Sequence, residues 1–97
     1  MSATTTVNVK IPTPLRNFSQ GRDLVPAHGA TVREVIDDLE KSCSGIRERV
    51  CEADGKIRSY VRVFVNDEDI RFLNAGDTPV KAGDTVTILP AIAGGYS

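Results

Sequence analysis

The residues whose types and spacing suggest chemistry lie at the carboxyl end of the chain. After Pro90 the sequence continues with small residues and a single bulky one, in the order Ala91, Ile92, Ala93, Gly94, Gly95. Five extended residues reach roughly 16 Å, which is far enough to enter the active site of another protein. Glycine has no Cβ atom, so the diglycine lets a partner close around the main chain. We therefore predict that residues 90–95 thread into a partner protein.

The other residues with reactive side chains form no catalytic or metal-binding pattern. Cys43 and Cys51 belong to no Cys-x-x-Cys motif or His/Cys cluster. We interpret them as packed or incidental thiols in a reducing compartment rather than as a disulfide or a nucleophile. His28 has no Asp or Cys at a characteristic spacing and is predicted to lie at the surface or in a loop. We expect no catalytic side chain, no metal site and no bound cofactor in this chain.

Length and composition predict one globular domain that supports the tail. A chain of 97 residues buries about 65% of its unfolded surface, which is enough for a core without metal or disulfides. A formal net charge of -1 indicates neither nucleic acid nor a membrane as partner. The sequence shows no membrane-spanning apolar run and no secretory signal, so we expect a cytoplasmic protein. Residues 1–90 are predicted to form the domain and residues 91–97 the tail with its extension.

The first half of the chain predicts a β-hairpin followed by a helix. Residues 4–11 alternate apolar and polar side chains, and a short second strand is expected at 23–25. The loop between these strands is expected to pack Leu15 and Phe18 onto the edge of the core. Thr31 and Glu34 form a capping-box pattern that starts the helix. Its buried stripe is formed by Val32, Val35, Ile36 and Leu39, its predicted end is Gly45, and residues 46–50 are expected to add a brief helical turn.

The second half predicts three strands. Residues 61–65 are rich in β-branched and aromatic types, residues 66–69 form a turn, and residues 70–73 form a short return strand. The last strand covers 85–89, and the chain is predicted to leave the sheet at Pro90, which has no backbone N–H. The order β-β-α-β-β-β indicates an α+β fold, in which a mixed sheet packs on one helix. The first and last strands are expected at the centre of the sheet.

These segments together resemble the ubiquitin-like β-grasp sulfur carriers of the MoaD/ThiS superfamily. The similarity covers the amino-terminal hairpin and residues 31–39, 65–72 and 83–90, and it continues to Gly94-Gly95. A terminal Gly-Gly alone is a weak signal, but here it follows the pattern Gly-Asp-x-Val-x-Ile-Leu-Pro of residues 83–90. The resemblance implies a mixed sheet of four to five strands packed on one main helix. Within the superfamily, residues 44–49 and 65–72 are most similar to the CysO type of cysteine-biosynthesis carrier.

The resemblance implies chemistry on the main chain rather than on a side chain. An E1-like adenylating enzyme that uses ATP is expected to convert the α-carboxylate of Gly95 to an acyl-adenylate. Sulfide or a persulfide then displaces AMP and leaves a thiocarboxylate. Activation is required because a carboxylate is a poor electrophile, whereas the thiocarboxylate sulfur stays ionised at neutral pH. The chain is therefore expected to be a co-substrate of partner enzymes rather than an enzyme.

The resemblance also implies a sulfur acceptor. This acceptor is a synthase, either a pyridoxal-phosphate-dependent cysteine synthase or an enzyme of secondary metabolism. In the cysteine branch, a metal-dependent peptidase releases the product. The pyridoxal phosphate and the metal both belong to these partner enzymes.

Tyr96 and Ser97 follow the diglycine and depart from the family pattern. With Gly95 in a peptide bond, its carbonyl is part of an amide that cannot be adenylated. We interpret the two residues as an extension that a zinc metallopeptidase trims, because similar carriers of secondary metabolism have such extensions. The alternative is a remnant of a cloning vector.

The partner is predicted to dock on an exposed apolar patch of the sheet face that lies away from the helix. Phe64 or Phe72 is expected to form this patch together with Ile92. The alternative is that both phenylalanines are core residues, because alternation does not decide which face of the sheet is buried.

Two other classes of function remain open. A ubiquitin-like modifier would use the same activation to join Gly95 to a target lysine through an isopeptide bond. A plain interaction module would use its sheet and never activate the tail.

Overall fold

The computed structural model describes residues 5–90 of the chain. The tail at 91–95 and the extension at Tyr96 and Ser97 lie outside the described residues, so their predicted roles and the domain boundary stay predictions. None of the helices between residues 5 and 90 has the length and apolar character needed to cross a membrane.

Residues 5–90 form a five-stranded mixed sheet in the order β2-β1-β5-β3-β4. The strands are β1 (Thr6–Lys10), β2 (Leu24–His28), β3 (Val61–Val65), β4 (Glu68–Asp69) and β5 (Thr85–Pro90). β1 pairs antiparallel with β2 and parallel with β5, and β3 pairs antiparallel with β5 and with β4. The predicted α+β class, with a mixed sheet packed on one main helix, is confirmed. The first and last strands lie side by side, with β5 at the centre of the sheet.

Side chains along the strands alternate between a buried face and an outer face. The buried face packs against the main helix, α1 (Val32–Ser42), whose apolar stripe is fully buried. The strand residues on this face are Val7, Val9, Val25, Ala27, Val61, Val63, Val65, Val86 and Ile88. Because the side-chain period of a strand is two, the residues between these positions form the outer face of the sheet.

The predicted helix start is confirmed, with one difference in its hydrogen bonds. The backbone N–H of Glu34 donates to Thr31 Oγ1 at 3.3 Å. The Glu34 carboxylate accepts from the N–H of Ala30 at 2.9 Å, one residue before the N-cap. α1 ends at Ser42, three residues before the predicted end. Gly45, with φ of 97°, instead precedes the short helix α2 (Ile46–Val50), where the brief turn was predicted.

The connection between β1 and β2 packs as predicted but is more regular than a loop. It contains a 3₁₀ helix over Thr13–Phe18. Leu15 is buried, and Phe18 packs against the core from its edge.

The predicted return strand at 70–73 is wrong. The strand β4 comes earlier, at Glu68–Asp69, because Asn66 and Asp67 both have positive φ, 59° and 147°, and reverse the chain in two residues. Residues Ile70–Phe72 form a 3₁₀ turn, with the Asp69 carboxylate accepting from the backbone N–H of Arg71 at 2.9 Å. This local bond competes with strand pairing and ends the hairpin.

Sheet pairing continues through Pro90, one residue further than predicted, because Pro90 lies opposite Val61. The N–H of Asn66 donates to the carbonyl of Thr85 at 2.8 Å, which fixes the phase of hydrogen bonding between β3 and β5. With this phase, the Val61–Pro90 pair is a non-hydrogen-bonded pair. The nitrogen of Pro90 therefore faces the β1 side, where pairing has already ended at Thr87. A proline is tolerated here because no ladder bond is lost.

Candidate functional site

The central strand β5 carries the start of the predicted tail. Pro90 lies opposite Val61, and Leu89 lies opposite Arg62. β5 pairs with β1 along Thr85–Thr87 and with β3 along Val86–Pro90, so Val86 and Thr87 are paired on both sides. Pro90 itself pairs with β3 alone, directly after the part of β5 that has strands on both sides.

An apolar patch lies on the outer face beside the end of β5. Phe64 of β3 is half-buried and lies opposite Thr87, so Leu89, two residues further along β5, is its diagonal neighbour. Leu89 is 47% exposed and Phe72 is 82% exposed. Phe64 and Phe72 line the same shallow depression, together with Leu73. We call Phe64, Phe72, Leu73 and Leu89 the outer patch.

The structure decides the alternative that the sequence left open for the two phenylalanines. Both lie outside the buried core of the described residues, on the face away from α1. The predicted third member of this patch, Ile92, lies outside the described residues. Docking of a partner on the outer patch stays a prediction.

Phe72 is exposed because the residues before it are fixed. Ile70 is buried in the core and anchors the 3₁₀ turn. The Arg71 guanidinium donates to both carboxylate oxygens of Asp69, with Nη2 at 3.0 Å from Oδ2 and Nε at 3.3 Å from Oδ1. These contacts leave the Asp69 side chain only 8% exposed. The turn therefore leaves the Phe72 ring exposed to solvent, while the contacts of Asp69 and Ile70 hold the backbone before it in place.

The same contacts change the acidity of Asp69. The backbone N–H of Arg71 and then its guanidinium donate hydrogen bonds to the ionised carboxylate and lower its pKa. The Arg71 guanidinium also lies over the Phe72 ring, with Cζ 6.0 Å from the ring centroid. Arg71 thus links the fixed carboxylate to the exposed ring.

A second hydrogen-bonded pair, Asn66 and Asp84, fixes the start of β5. Asn66 Nδ2 donates to Asp84 Oδ1 at 3.0 Å, and the N–H of Thr85 donates to Asn66 Oδ1 at 3.0 Å. The other Asp84 oxygen accepts from the N–H of Lys81 at 2.8 Å. The Asn66 amide and then the Lys81 N–H lower the pKa of Asp84. This pair joins the β3–β4 hairpin to the strand that carries the tail.

Asn66 and Asp69 were predicted only as part of a turn, and Asp84 was noted only within the Gly-Asp-x-Val-x-Ile-Leu-Pro pattern. The sequence gives no sign that Asn66 and Asp84 form a hydrogen bond, because they are far apart in the chain and are brought together by the pairing of β3 with β5. Leu89 was assigned to the last strand, but its place on the outer face was not predicted. The regular alternation of Val86 and Ile88 on the buried face was the signal that could have shown it.

The reactive side chains of the described residues lie apart from the outer patch. Cys43 and Cys51 are free and buried, and burial raises the pKa of both thiols. A buried thiol with raised pKa is protonated at neutral pH and is a poor nucleophile. His28 lies at the exposed edge strand β2, with Nδ1 3.0 Å from Thr6 Oγ1. Between residues 5 and 90, no three His, Cys, Asp or Glu side chains come together in a way that could hold a metal ion.

The sequence of the chain is similar to those of known proteins. The ThiS family model matches residues 9–95. Sulfur carrier protein CysO of Mycobacterium tuberculosis (strain ATCC 25618 / H37Rv) is 48% identical over 91 residues, which cover 92% of this chain and 98% of that protein. Small archaeal modifier protein 3 of Haloferax volcanii is 35% identical over 66 residues, which cover 68% of this chain and 71% of that protein.

A solved structure has a similar fold. A chain in the crystal structure of the Amycolatopsis orientalis BexX/CysO complex has a TM-score of 0.86 and 49% identity to this chain. The superposition covers 92% of this chain and 99% of that one. The predicted ubiquitin-like β-grasp fold is confirmed.

Proposed function

Because the chain belongs to the ThiS family, we propose that it works as a sulfur carrier of the CysO type. The family membership also confirms the similarity to MoaD/ThiS carriers that the sequence indicated. One observation carries the proposal: the family match extends over residues 9–95 and so includes the diglycine as well as the domain. The described residues support it by placing the start of the tail on the central strand, beside the outer patch.

We propose that the reactive group is the α-carboxylate of Gly95. A carboxylate oxygen attacks the α-phosphate of ATP on an E1-like partner, which forms an acyl-adenylate and releases pyrophosphate. Hydrosulfide then adds to the acyl carbon, and AMP leaves as the thiocarboxylate forms. AMP is a good leaving group, so the activated carbonyl accepts a nucleophile that the free carboxylate would repel. ATP is bound by the partner in this proposal.

The outer patch is the proposed docking surface for this activating partner. Phe72, which is 82% exposed, and Leu89, which is 47% exposed, offer apolar area to a partner, and Leu89 directly precedes Pro90. Aromatic side chains in such patches supply large contact area at a low entropy cost. Docking on this face would hold Pro90 at a fixed distance from the adenylating site.

The extension at Tyr96 and Ser97 keeps the carrier inactive until it is removed. In the full sequence Gly95 contributes a neutral amide carbonyl to the Gly95–Tyr96 bond. Hydrolysis of this bond by a zinc metallopeptidase, with a metal-bound water as nucleophile, produces the free carboxylate. After activation, sulfur passes to a synthase that makes cysteine or another sulfur-containing metabolite.

The test compares three proteins that end at Ser97, Gly95 and Gly94 in ATP–pyrophosphate exchange with the purified activating enzyme. Only the Gly95 form should support exchange. The Ser97 form has no carboxylate at the reactive position. The Gly94 form is shorter by roughly 3.5 Å, and a displacement of even 1 Å can reduce a rate on the order of a hundredfold.

Intact-mass analysis of the Gly95 form after incubation with ATP, sulfide and the enzyme is the second measurement. Replacement of one oxygen by sulfur is the expected product. Equal exchange by the Ser97 and Gly95 forms would falsify the inactive-precursor part of the proposal. If none of the three forms supports exchange, the proposed carrier function itself is wrong.

A ubiquitin-like modifier is the second candidate function. The similarity to a protein named small archaeal modifier protein 3, at 35% identity over 68% of this chain, favours it. It predicts a Gly95 isopeptide on lysines of other proteins in the native host. Mass spectrometry of tryptic peptides for this adduct, with a Gly95-deleted strain as control, separates the two functions.

A further inference from the structure

A groove on the helix side of the sheet has no role in the proposed function. It has a volume of about 370 Å³ and lies between α1, β3 and the chain around residues 70–77. Its floor is apolar and contains Ile57, Val61, Val63 and Ile70. A cavity of this size accepts one or two side chains of a partner or a small molecule.

The lining of this groove is strongly unbalanced in charge. Four cations, Arg33, Lys56, Arg58 and Arg71, face a single carboxylate, that of Asp77. We call this site the basic groove. Asp77 is bound by Arg33, and Arg71 is bound by Asp69. Two of the four cations are therefore already neutralised by neighbours.

The remaining two cations, Lys56 and Arg58, carry the net charge of the groove. Between residues 5 and 90 neither of them forms a salt bridge. Arg58 Nε donates to the carbonyl of Glu48 at 2.8 Å, which holds the guanidinium in place without compensating its charge. An apolar floor beside two uncompensated cations is complementary to an apolar side chain flanked by carboxylates.

The position of the basic groove relates it to the tail. Val61 forms part of its floor and lies opposite Pro90 in the sheet. A segment bound there would lie next to the start of the tail. Val61 and Val63 point to the helix side, whereas Phe64 points to the outer face. The basic groove and the outer patch therefore lie on opposite faces of β3, and they meet at Arg71, which lines both.

We propose that the basic groove binds an extended acidic segment of the sulfur-accepting enzyme, which inserts one apolar side chain onto the floor and places carboxylates at Lys56 and Arg58. The proposal rests on the proposed function, which gives the outer patch to the activating enzyme. The two enzymes then use different faces of one carrier. The acceptor binds beside the tail in a later step, after the tail has left the activating enzyme.

The test is the affinity of the purified sulfur-accepting synthase for the Gly95 form, measured by calorimetry at low and high salt. Lys56→Glu and Arg58→Glu should each weaken binding at least about fivefold at low salt, and less at high salt, because rim charges are screened. Lys41→Glu is the matched control, since Lys41 is 81% exposed on α1 and does not line the groove. It should bind within about twofold of the unchanged protein, because a single exposed pair contributes little.

A steric pair of variants tests the same site without changing its charge. Ser59 lines the groove and Tyr60, the next residue, does not. Ser59→Trp should block binding, and Tyr60→Trp should leave it unchanged. Lys56 is exposed, so Lys56→Glu remains informative if Arg58→Glu disturbs the contact with Glu48.

Unchanged affinity for Lys56→Glu and Ser59→Trp, or an equal loss for Lys41→Glu, overturns the proposal. ATP–pyrophosphate exchange with the same proteins separates it from the proposed function. If exchange is normal and acceptor binding ignores the groove variants, only the groove proposal fails. If the unchanged Gly95 form supports no exchange, the carrier function fails first.

Discussion

Replacement of Phe72 by alanine tests whether the outer patch is a docking surface. The ring is 82% exposed, so the free protein loses little packing when it is removed. The Arg71 guanidinium lies over the ring, and such a contact contributes about 0.5–1 kcal/mol at an exposed site. We expect the free energy of unfolding to fall by no more than about 1 kcal/mol.

The expected effect on docking is larger. A phenylalanine side chain offers roughly 200 Å², and at 82% exposure about 160 Å² of it remains to be buried by a partner. At about 25 cal/mol per Å² this area corresponds to an upper limit of about 4 kcal/mol. Association realises only part of such area terms, so we expect a loss of about 1.4–2.8 kcal/mol. This loss equals an increase of about 10- to 100-fold in the concentration of carrier needed.

The assay is ATP–pyrophosphate exchange with the activating enzyme and the form that ends at Gly95. The KM for the carrier should rise and kcat should stay constant, because an interaction made equally in the ground and transition states has been removed. Leu24→Ala is the control, since Leu24 is 45% exposed on the edge strand β2, far along the outer face. A folded Phe72→Ala variant with unchanged KM refutes the docking surface.

Two further predictions concern the rest of the described chain. Glu40→Gln should lower the free energy of unfolding by about 1 kcal/mol at pH 7, because the Glu40 carboxylate accepts from the N–H groups of Gly45 at 2.8 Å and Arg47 at 2.9 Å. These two bonds lower the pKa of Glu40, so the stabilisation by its carboxylate is present above the pKa of the unfolded state and is lost as the pH falls through the pKa of the folded state. In urea unfolding, the free energies of unfolding of the wild type and the variant should therefore converge in acid. A difference between them that stays constant with pH contradicts this prediction. Alanine at His28, Cys43 or Cys51 should leave sulfur transfer intact in a folded protein, and the buried thiols should react with a disulfide reagent only after denaturant is added. Loss of turnover by a folded variant would make that residue catalytic.

The sequence predicted the α+β class, the main helix and the central place of the first and last strands because its signals are local and mutually consistent. Valines alternate in β1 and β3, and Thr31 with Glu34 marks the start of α1. The error at 70–73 has a physical cause. Ile70 and Phe72 look like alternating strand residues, but one is buried and the other exposed in a 3₁₀ turn. The Asp69–Arg71 bonds that produce this turn are not visible in composition.

The candidate site was predictable in part for a similar reason. The diglycine and the preceding strand are sequence motifs, so the tail was predicted from the residues alone, and its role stays a prediction. The outer patch depends on register, which places Phe64 opposite Thr87 and Leu89 opposite Arg62. The basic groove depends on tertiary contact, because it joins Arg33 of α1 to residues 55–77. Residues so far apart in the chain give no periodic signal.

The central position of β5 has a mechanical consequence. A partner that draws on the chain after Pro90 applies a force along the strand axis, nearly perpendicular to the hydrogen bonds that hold β5. β5 pairs with β3 along Val86–Pro90 and with β1 along Thr85–Thr87. Under such a load these bonds are sheared together rather than opened one after another. The domain can therefore resist this force, so that an enzyme can draw the end of the chain into its active site without unfolding the sheet.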